Sequence, residues 1–232
     1  MTRHQPTREA YQELLQAFDF YNNALFGGKL PRCLITMQRE RNTYGYFSPD
    51  RWAKLNGKKV ANDGIVDEIA LNPSHFATRS VEESLSTLVH EMVHLQQHHF
   101  GKPGRGRYHN KEWATMMDVV GLCPSDTGKE GGNRTGDHMS HYIVDFGPFD
   151  LATQKLLDGG FSLSWLDRVF TTPKTGGRSG GEVGIVGGGL TEPPAAKKTR
   201  DKYSCPSCGL NAWAKPGISL TCTKCQKDLK VV

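Results

Sequence analysis

The pentapeptide His90-Glu91-Met92-Val93-His94 constrains this chain more than any other stretch, because its polar residues act together only if they lie on a helix. Four residues advance an α-helix by slightly more than one turn, so His90 and His94 project from the same face. Two imidazoles so placed can bind one Zn²⁺ at about 2.0–2.1 Å each. Glu91, beside the first ligand, is positioned to take a proton from a metal-bound water. The competing reading is a surface helix that carries His and Glu by coincidence, and the pentapeptide alone does not separate the two.

The flanking residues predict the helix. Val81 to Val89 lead into the motif without Gly or Pro, and Leu85, Leu88, Val89, Met92 and Leu95 fall at helical spacing as an apolar stripe. Ser80 is the expected N-cap, with Glu83 three residues on completing a capping box. Phe100-Gly101-Lys102-Pro103-Gly104 stops the helix.

Two histidines are too few for zinc, so a third ligand is needed. The pattern HExxHxxGxxH is excluded, because Gln97 and Phe100 stand where its Gly and last His would fall. His98 and His99 continue the same helix and read as polar cover, since a further ligand must approach from another direction. His109 lies beyond a glycine-rich turn, residues 101–106, and begins a new helical pattern running to Met117. It is the preferred ligand, with Glu112, one turn later, as its rival.

His90-Glu91-Met92-Val93-His94, the glycine-rich turn and His109-Asn110-Lys111-Glu112-Trp113 together resemble the SprT-like zinc metalloproteases, which include the Spartan proteases of DNA–protein crosslink repair. The resemblance covers roughly residues 8–125 and 201–226. It implies a zincin-like fold with His90, His94 and His109 as zinc ligands, Glu91 as catalytic base, and Glu112 as a supporting partner rather than a ligand.

The rest of the chain is read as an α+β protein. Glu9 to Phe26 is amphipathic and ends at Gly27-Gly28; Leu34–Met37, Tyr44–Phe47 and Glu68–Leu71 read as strands. Residues 50–67, rich in Lys, Asn and Gly, read as a loop. A helix, a small antiparallel sheet and two metal-holding helices make a zincin-like metalloprotease domain over residues 8–170. An edge strand of that sheet can hold an extended peptide by strand addition. Residues 123–132 read as a flexible loop and 152–170 as one or two helices. His138, His141 and Tyr142 stand as candidates to approach the metal from its open side and stabilise an oxyanion, or to support one of its ligands from behind, against the simpler reading as surface histidines and a packed tyrosine.

Residues 171–200 form a Gly/Pro-rich linker by composition. Residues 201–232 then carry Cys205-Pro206-Ser207-Cys208 and Cys222-Thr223-Lys224-Cys225. Two such turns aim four thiolates at one metal, a Cys₄ zinc ribbon whose folding depends on its ion. Cys33 and Cys123 are left over and read as unpaired. The expected cofactors are thus two zinc ions, one catalytic and one structural.

Charge is uneven. Residues 171–232 hold ten Lys+Arg against four Asp+Glu, leaving 19 against 20 in residues 1–170. Lys197, Lys198, Arg200, Lys202 and Lys215, interleaved with Tyr203 and Trp213, are candidate contacts to single-stranded or crosslinked DNA; a solvated cationic tail is the competing reading. No apolar run approaches the roughly 18 residues of a membrane span, and the N-terminus lacks an apolar signal core. The expectation is a cytoplasmic, nucleoid-associated protein that cuts protein substrates. A zinc-stabilised nucleic-acid adaptor with an inactive site is the alternative, disfavoured because a structural site has no need of Glu91; a zinc hydrolase acting on a non-peptide bond is a third.

Overall fold

In the computed structural model the described residues are 4–167 and 201–231. They fall into two compact units, residues 4–167 and residues 201–231. The linker assigned to residues 171–200, with Lys197, Lys198 and Arg200, lies outside the described residues.

The first unit opens with α1, Pro6–Phe26, started by a proline whose φ is already helical and ended by Gly27 in the left-handed conformation. Leu14, Ala17, Phe18 and Tyr21 recur at three- and four-residue spacing and are all buried. The Tyr21 ring stacks on Phe149 at 5.5 Å, and its hydroxyl meets Thr153 Oγ1 at 2.8 Å. Both partners lie on α4, Pro148–Asp158, which is therefore fastened to α1 by one aromatic pair and one buried hydrogen bond.

Three strands follow: β1, Leu34–Met37; β2, Gly45–Asn56; and β3, Lys59–Leu71. Their order is β1-β3-β2, with β2 antiparallel to β3. β1 pairs parallel with β3, Leu34 opposite Glu68. The sheet is thus mixed, where the sequence predicted an antiparallel one. The chain crosses from β1 over the future position of β3 to the far edge, and the hairpin return then runs beside β1 in the same direction. Residues 50–67 are not the expected loop either. β2 and β3 continue through them to a turn at Gly57-Lys58, with register shifts after Ser48 and Ala53. Leu55, Val60 and Ile65 are exposed on this arm. Lacking a core to face, it shows no in–out alternation from which a strand is read.

Helix α2, Val81–Phe100, is the centre of the unit. Ser80 Oγ accepts from the Glu83 N–H at 3.1 Å while the Glu83 carboxylate accepts from the Ser80 N–H at 2.9 Å. Leu85, Leu88, Val89, Met92, Val93 and Leu95 are fully enclosed against α1, the sheet and α3, Lys111–Val119. A two-stranded sheet, β4 (Leu122–Ser125) with β5 (Ser140–Ile143), completes the unit, so a strand begins where a flexible loop was read.

The second unit is built on β6, Asp201–Ser204; β7, Asn211–Ala214; β8, Thr221–Cys222; β9, Lys227–Asp228; and β10, Lys230–Val231. Its buried side chains are Tyr203, Cys205 and Cys222. So small an apolar content cannot stabilise a fold unaided.

The Ser80–Glu83 capping box fixes the start of the helix that carries the motif. Ser80→Ala is expected to cost about 1 kcal/mol, measured as a lower denaturant midpoint with an unchanged m-value.

Candidate metal centres

His90 and His94 sit on the same face of α2, and His109 reaches them from the segment before α3. One ring nitrogen from each lies within 4.8 Å of the others. His94 Nε2 and His109 Nε2 are 3.1 Å apart. A tetrahedral zinc with bonds of about 2.05 Å sets neighbouring nitrogens about 3.3 Å apart, so the separation fits two ligands of one ion. Burial pushes the His94 imidazole down to about 3, with the neighbouring His109 adding to the effect. Burial, then His141, drives His90 well below its ordinary value, and burial lowers His109 against the pull of the Gly136 carbonyl. Neutral imidazoles with free lone pairs are what a cation needs.

Trp113, fully buried on α3, forms the floor. Its indole stacks on His94 at 5.4 Å and meets His109 and His90 at 4.4 and 5.0 Å. Its Nε1 is a buried donor without a hydrogen-bond partner among the described residues, a cost accepted beside the histidines.

Placing His109 is the work of a polar lock at the end of α2. Gln97, one turn beyond His94 and buried, donates to Asn110 Oδ1 at 2.9 Å and to Glu112 Oε2 at 2.8 Å. Glu112 Oε2 also accepts from the Lys102 N–H at 2.6 Å. Asn110 caps α3 by accepting from the Trp113 N–H, and donates to the Lys102 carbonyl. Glu112 thus holds the turn and does not point to the metal position. His109 itself forms a bridge with Gly136, its N–H donating to the Gly136 carbonyl at 2.8 Å and its Nδ1 lying 3.1 Å from the same oxygen. A carbonyl only accepts, so Nδ1 carries the proton and Nε2 keeps the lone pair. Gln97, Asn110, Trp113 and Gly136 were not singled out as site residues from sequence, because their partners lie across turns that periodicity does not report.

Glu91 is buried beside His90. Burial pushes its carboxyl up to about 8, partly offset by the Phe47 backbone N–H. Phe47 belongs to β2, an edge strand, so that edge borders the carboxylate.

The three oxyanion candidates separate. His141 lies behind His90, with Nδ1 3.0 Å from His90 Nδ1 and Nε2 2.8 Å from Ser86 Oγ. Both of its nitrogens are engaged, so it does not stand on the open side. Tyr142, the next residue on β5, faces the other way toward Cys123, whose thiol raises the phenol pKa. His138 is exposed near His109. At the far end of α2, His99 Nε2 lies 2.7 Å from Asp67 Oδ2, and Asp67 Oδ1 accepts the Asp50 N–H. With His98 these two make a third cluster of ligand atoms within 4.8 Å.

In the second unit the Sγ atoms of Cys205, Cys208, Cys222 and Cys225 all lie within 4.8 Å of one another, none in a disulfide. Cys208 and Cys222 sulfurs are 3.7 Å apart, against about 3.8 Å for a tetrahedral ion with Zn–S near 2.3 Å. The N–H groups of Cys208 and Ser207 bring Cys205 down to about 7, toward the thiolate a metal needs. Cys33 and Cys123 are unpaired.

The nucleic-acid candidates also divide. Tyr203 is buried, its hydroxyl donating to the Lys215 carbonyl at 3.0 Å, so its ring packs the ribbon and offers no face for base stacking. Trp213 is 62% exposed and pairs across the strands with Lys202, while Lys215 is exposed. Among the described residues no helix is long and apolar enough to cross a membrane.

A sequence model of the SprT-like family matches residues 14–130, just over half of the chain. A Salmonella typhimurium protein described as an uncharacterized protein in the mucB 3′ region is 57% identical over 47 residues, which are 20% of this chain. The chain covers 64% of that relative's length. No solved structure matches.

The lock around Glu112 generates a test. Glu112→Ala removes the acceptor of the Lys102 N–H and one of the acceptors of Gln97, and is expected to weaken zinc binding at the histidine site about 10–100-fold while leaving the cysteine site unchanged. Chelator competition on the full chain measures both.

Proposed function

The chain belongs to the SprT-like family, and on that footing we propose that it is a zinc-dependent peptidase acting on DNA-associated proteins. His90, His94 and His109 hold the catalytic zinc and Glu91 is the general base; the four cysteines hold a structural zinc. The observation that carries the reading is the convergence of His90, His94 and His109, with the buried Glu91 carboxyl on the same turn of α2 as two of them. A site that only held structure together would gain nothing from a desolvated carboxyl at that position.

When bound, the zinc supplies a Lewis acid that polarises the scissile carbonyl and lowers the pKa of the attacking water. Glu91, as the carboxylate, takes the water's proton and later delivers it to the leaving amine. Phe47 N–H orients that carboxylate from β2. The free edge of β2 supports an extended substrate backbone beside Glu91 by strand addition. The histidine Nδ1 contacts behind the site keep the lone pairs aimed inward. Lys202 and Trp213, paired across β6 and β7, together with Lys215, are proposed to contact nucleic acid and bring the enzyme to its substrates.

Glu91→Gln is expected to retain two zinc ions per chain and lose at least 100-fold in cleavage of a histone or casein substrate, an order-of-magnitude value for removing a general base. Normal cleavage by this variant would remove Glu91 from the mechanism, and one zinc per chain would remove one of the two sites. Binding to single-stranded DNA is expected to fall as salt rises and to weaken further in Trp213→Ala. An affinity indifferent to salt would exclude phosphate contacts.

A further inference from the structure

We propose that His141 is a positioning residue that fixes the tautomer of His90, so that His90 presents Nε2 to the metal. The inference rests on the zinc reading of the three-histidine site and adds to it a residue on a different element, β5.

A short chain of hydrogen bonds runs from α2 through His141 to His90, and its direction is set at one end. The Glu83 carbonyl oxygen can only accept, so the Ser86 hydroxyl, 2.9 Å away, donates to it. A serine has one proton to give. Ser86 Oγ must therefore accept from His141 Nε2 at 2.8 Å, which places a proton on that nitrogen. The other nitrogen of a neutral His141, Nδ1, then bears a lone pair. It faces His90 Nδ1 at 3.0 Å, and His90 has to be the donor. With its proton on Nδ1, His90 has its lone pair on Nε2, the ligating form.

The opposite polarity is self-defeating. Were Ser86 to donate to His141 Nε2, then His141 Nδ1 would carry the proton and His90 Nδ1 would accept it. His90 Nε2 would then be protonated and closed to a metal. The Glu83 carbonyl, held in the first turns of α2, selects the productive direction.

The geometry also separates His141 from a fourth ligand. It does not join the triangle of ligand nitrogens formed by His90, His94 and His109. Both of its nitrogens have partners, and the His90 atom that it touches is the one left over when Nε2 ligates. Ser86 and His90 are four residues apart and so share a face of α2, which lets one imidazole from β5 bridge them. His109 reaches the same tautomer by a simpler route, through the Gly136 carbonyl. A metal-bound histidine ordinarily gives its second N–H to a carboxylate, a carbonyl or water; here a neutral imidazole takes that place, and its own orientation is set by the helix it braces.

Two measurements on the full-length chain test this. The first needs no variant: ¹⁵N NMR of the zinc-loaded protein should find His141 protonated at Nε2 and unprotonated, metal-free, at Nδ1, with His90 protonated at Nδ1. A metal-bound nitrogen on His141, or a proton on its Nδ1, overturns the proposal. The second is zinc affinity by chelator competition, with the cysteine site as internal reference. His141→Ala should weaken the histidine site about 10–100-fold, and His141→Asn, whose side-chain oxygen can accept from His90, should recover part of the loss. Equal affinity in wild type and His141→Ala, or no recovery with Asn, overturns it. Wild-type protein that binds no zinc at the histidines would instead sink the zinc reading beneath it, so the two failures are distinguishable.

Discussion

Helix α2 is enclosed on nearly every side, yet it carries Ser86, His90, Glu91, His94 and Gln97 along its length. A polar group withdrawn from water without a partner costs on the order of 1–3 kcal/mol, so each of these side chains has to be met from elsewhere in the fold. The surrounding elements are arranged to do so. Strand β5 supplies His141 to Ser86 and His90; the β2 edge supplies the Phe47 N–H to Glu91; the segment before α3 supplies His109 to His94. Farther along, Asn110 and Glu112 meet Gln97, while the exposed His99 at the helix end meets the buried Asp67 of β3. The apolar residues of α2 hold the unit together, while its polar ones dictate which neighbour lies where.

The same distinction explains what could be read from the sequence. The helix itself was legible down to its cap, because leucine spacing and the Ser80–Glu83 pair are local signals whose partners lie within one turn. His109 was legible because three ligands are a chemical requirement and the glycine-rich turn gave the chain a way back. For His141 the sequence leaves two places open, the open side of the metal or a position behind a ligand. Nothing in its neighbourhood reports that β5 runs behind His90, and a histidine near a metal looks the same in sequence whether it faces the ion or a ligand. Tyr203 fails similarly: an aromatic among lysines reads as a stacking platform, but alternation along β6 turns it inward. The β2–β3 arm went unread for the reverse reason. With both faces in water, its strands carry no pattern of burial to print in the residues.

The two clusters solve one problem at different scales. In the first unit a hydrophobic core surrounds α2, and His109 and His90 have hydrogen-bond partners behind them in Gly136 and His141. Such a site keeps one side free for chemistry, since its shape does not rest on saturating the metal. In the second unit the thiols themselves are the interior. Cys205 and Cys222 are as deeply buried as Tyr203, and the backbone N–H groups of Ser207 and Cys208 turn toward sulfur. Removing the metal from the first should leave a folded protein with an acidic residue stranded beside empty imidazoles. Removing it from the second takes away most of what the short strands pack against, and an ion bound there contributes directly to folding free energy. On the proposed zinc reading the two clusters would give their ions different work: the first would be held by a fold, and the second would hold one.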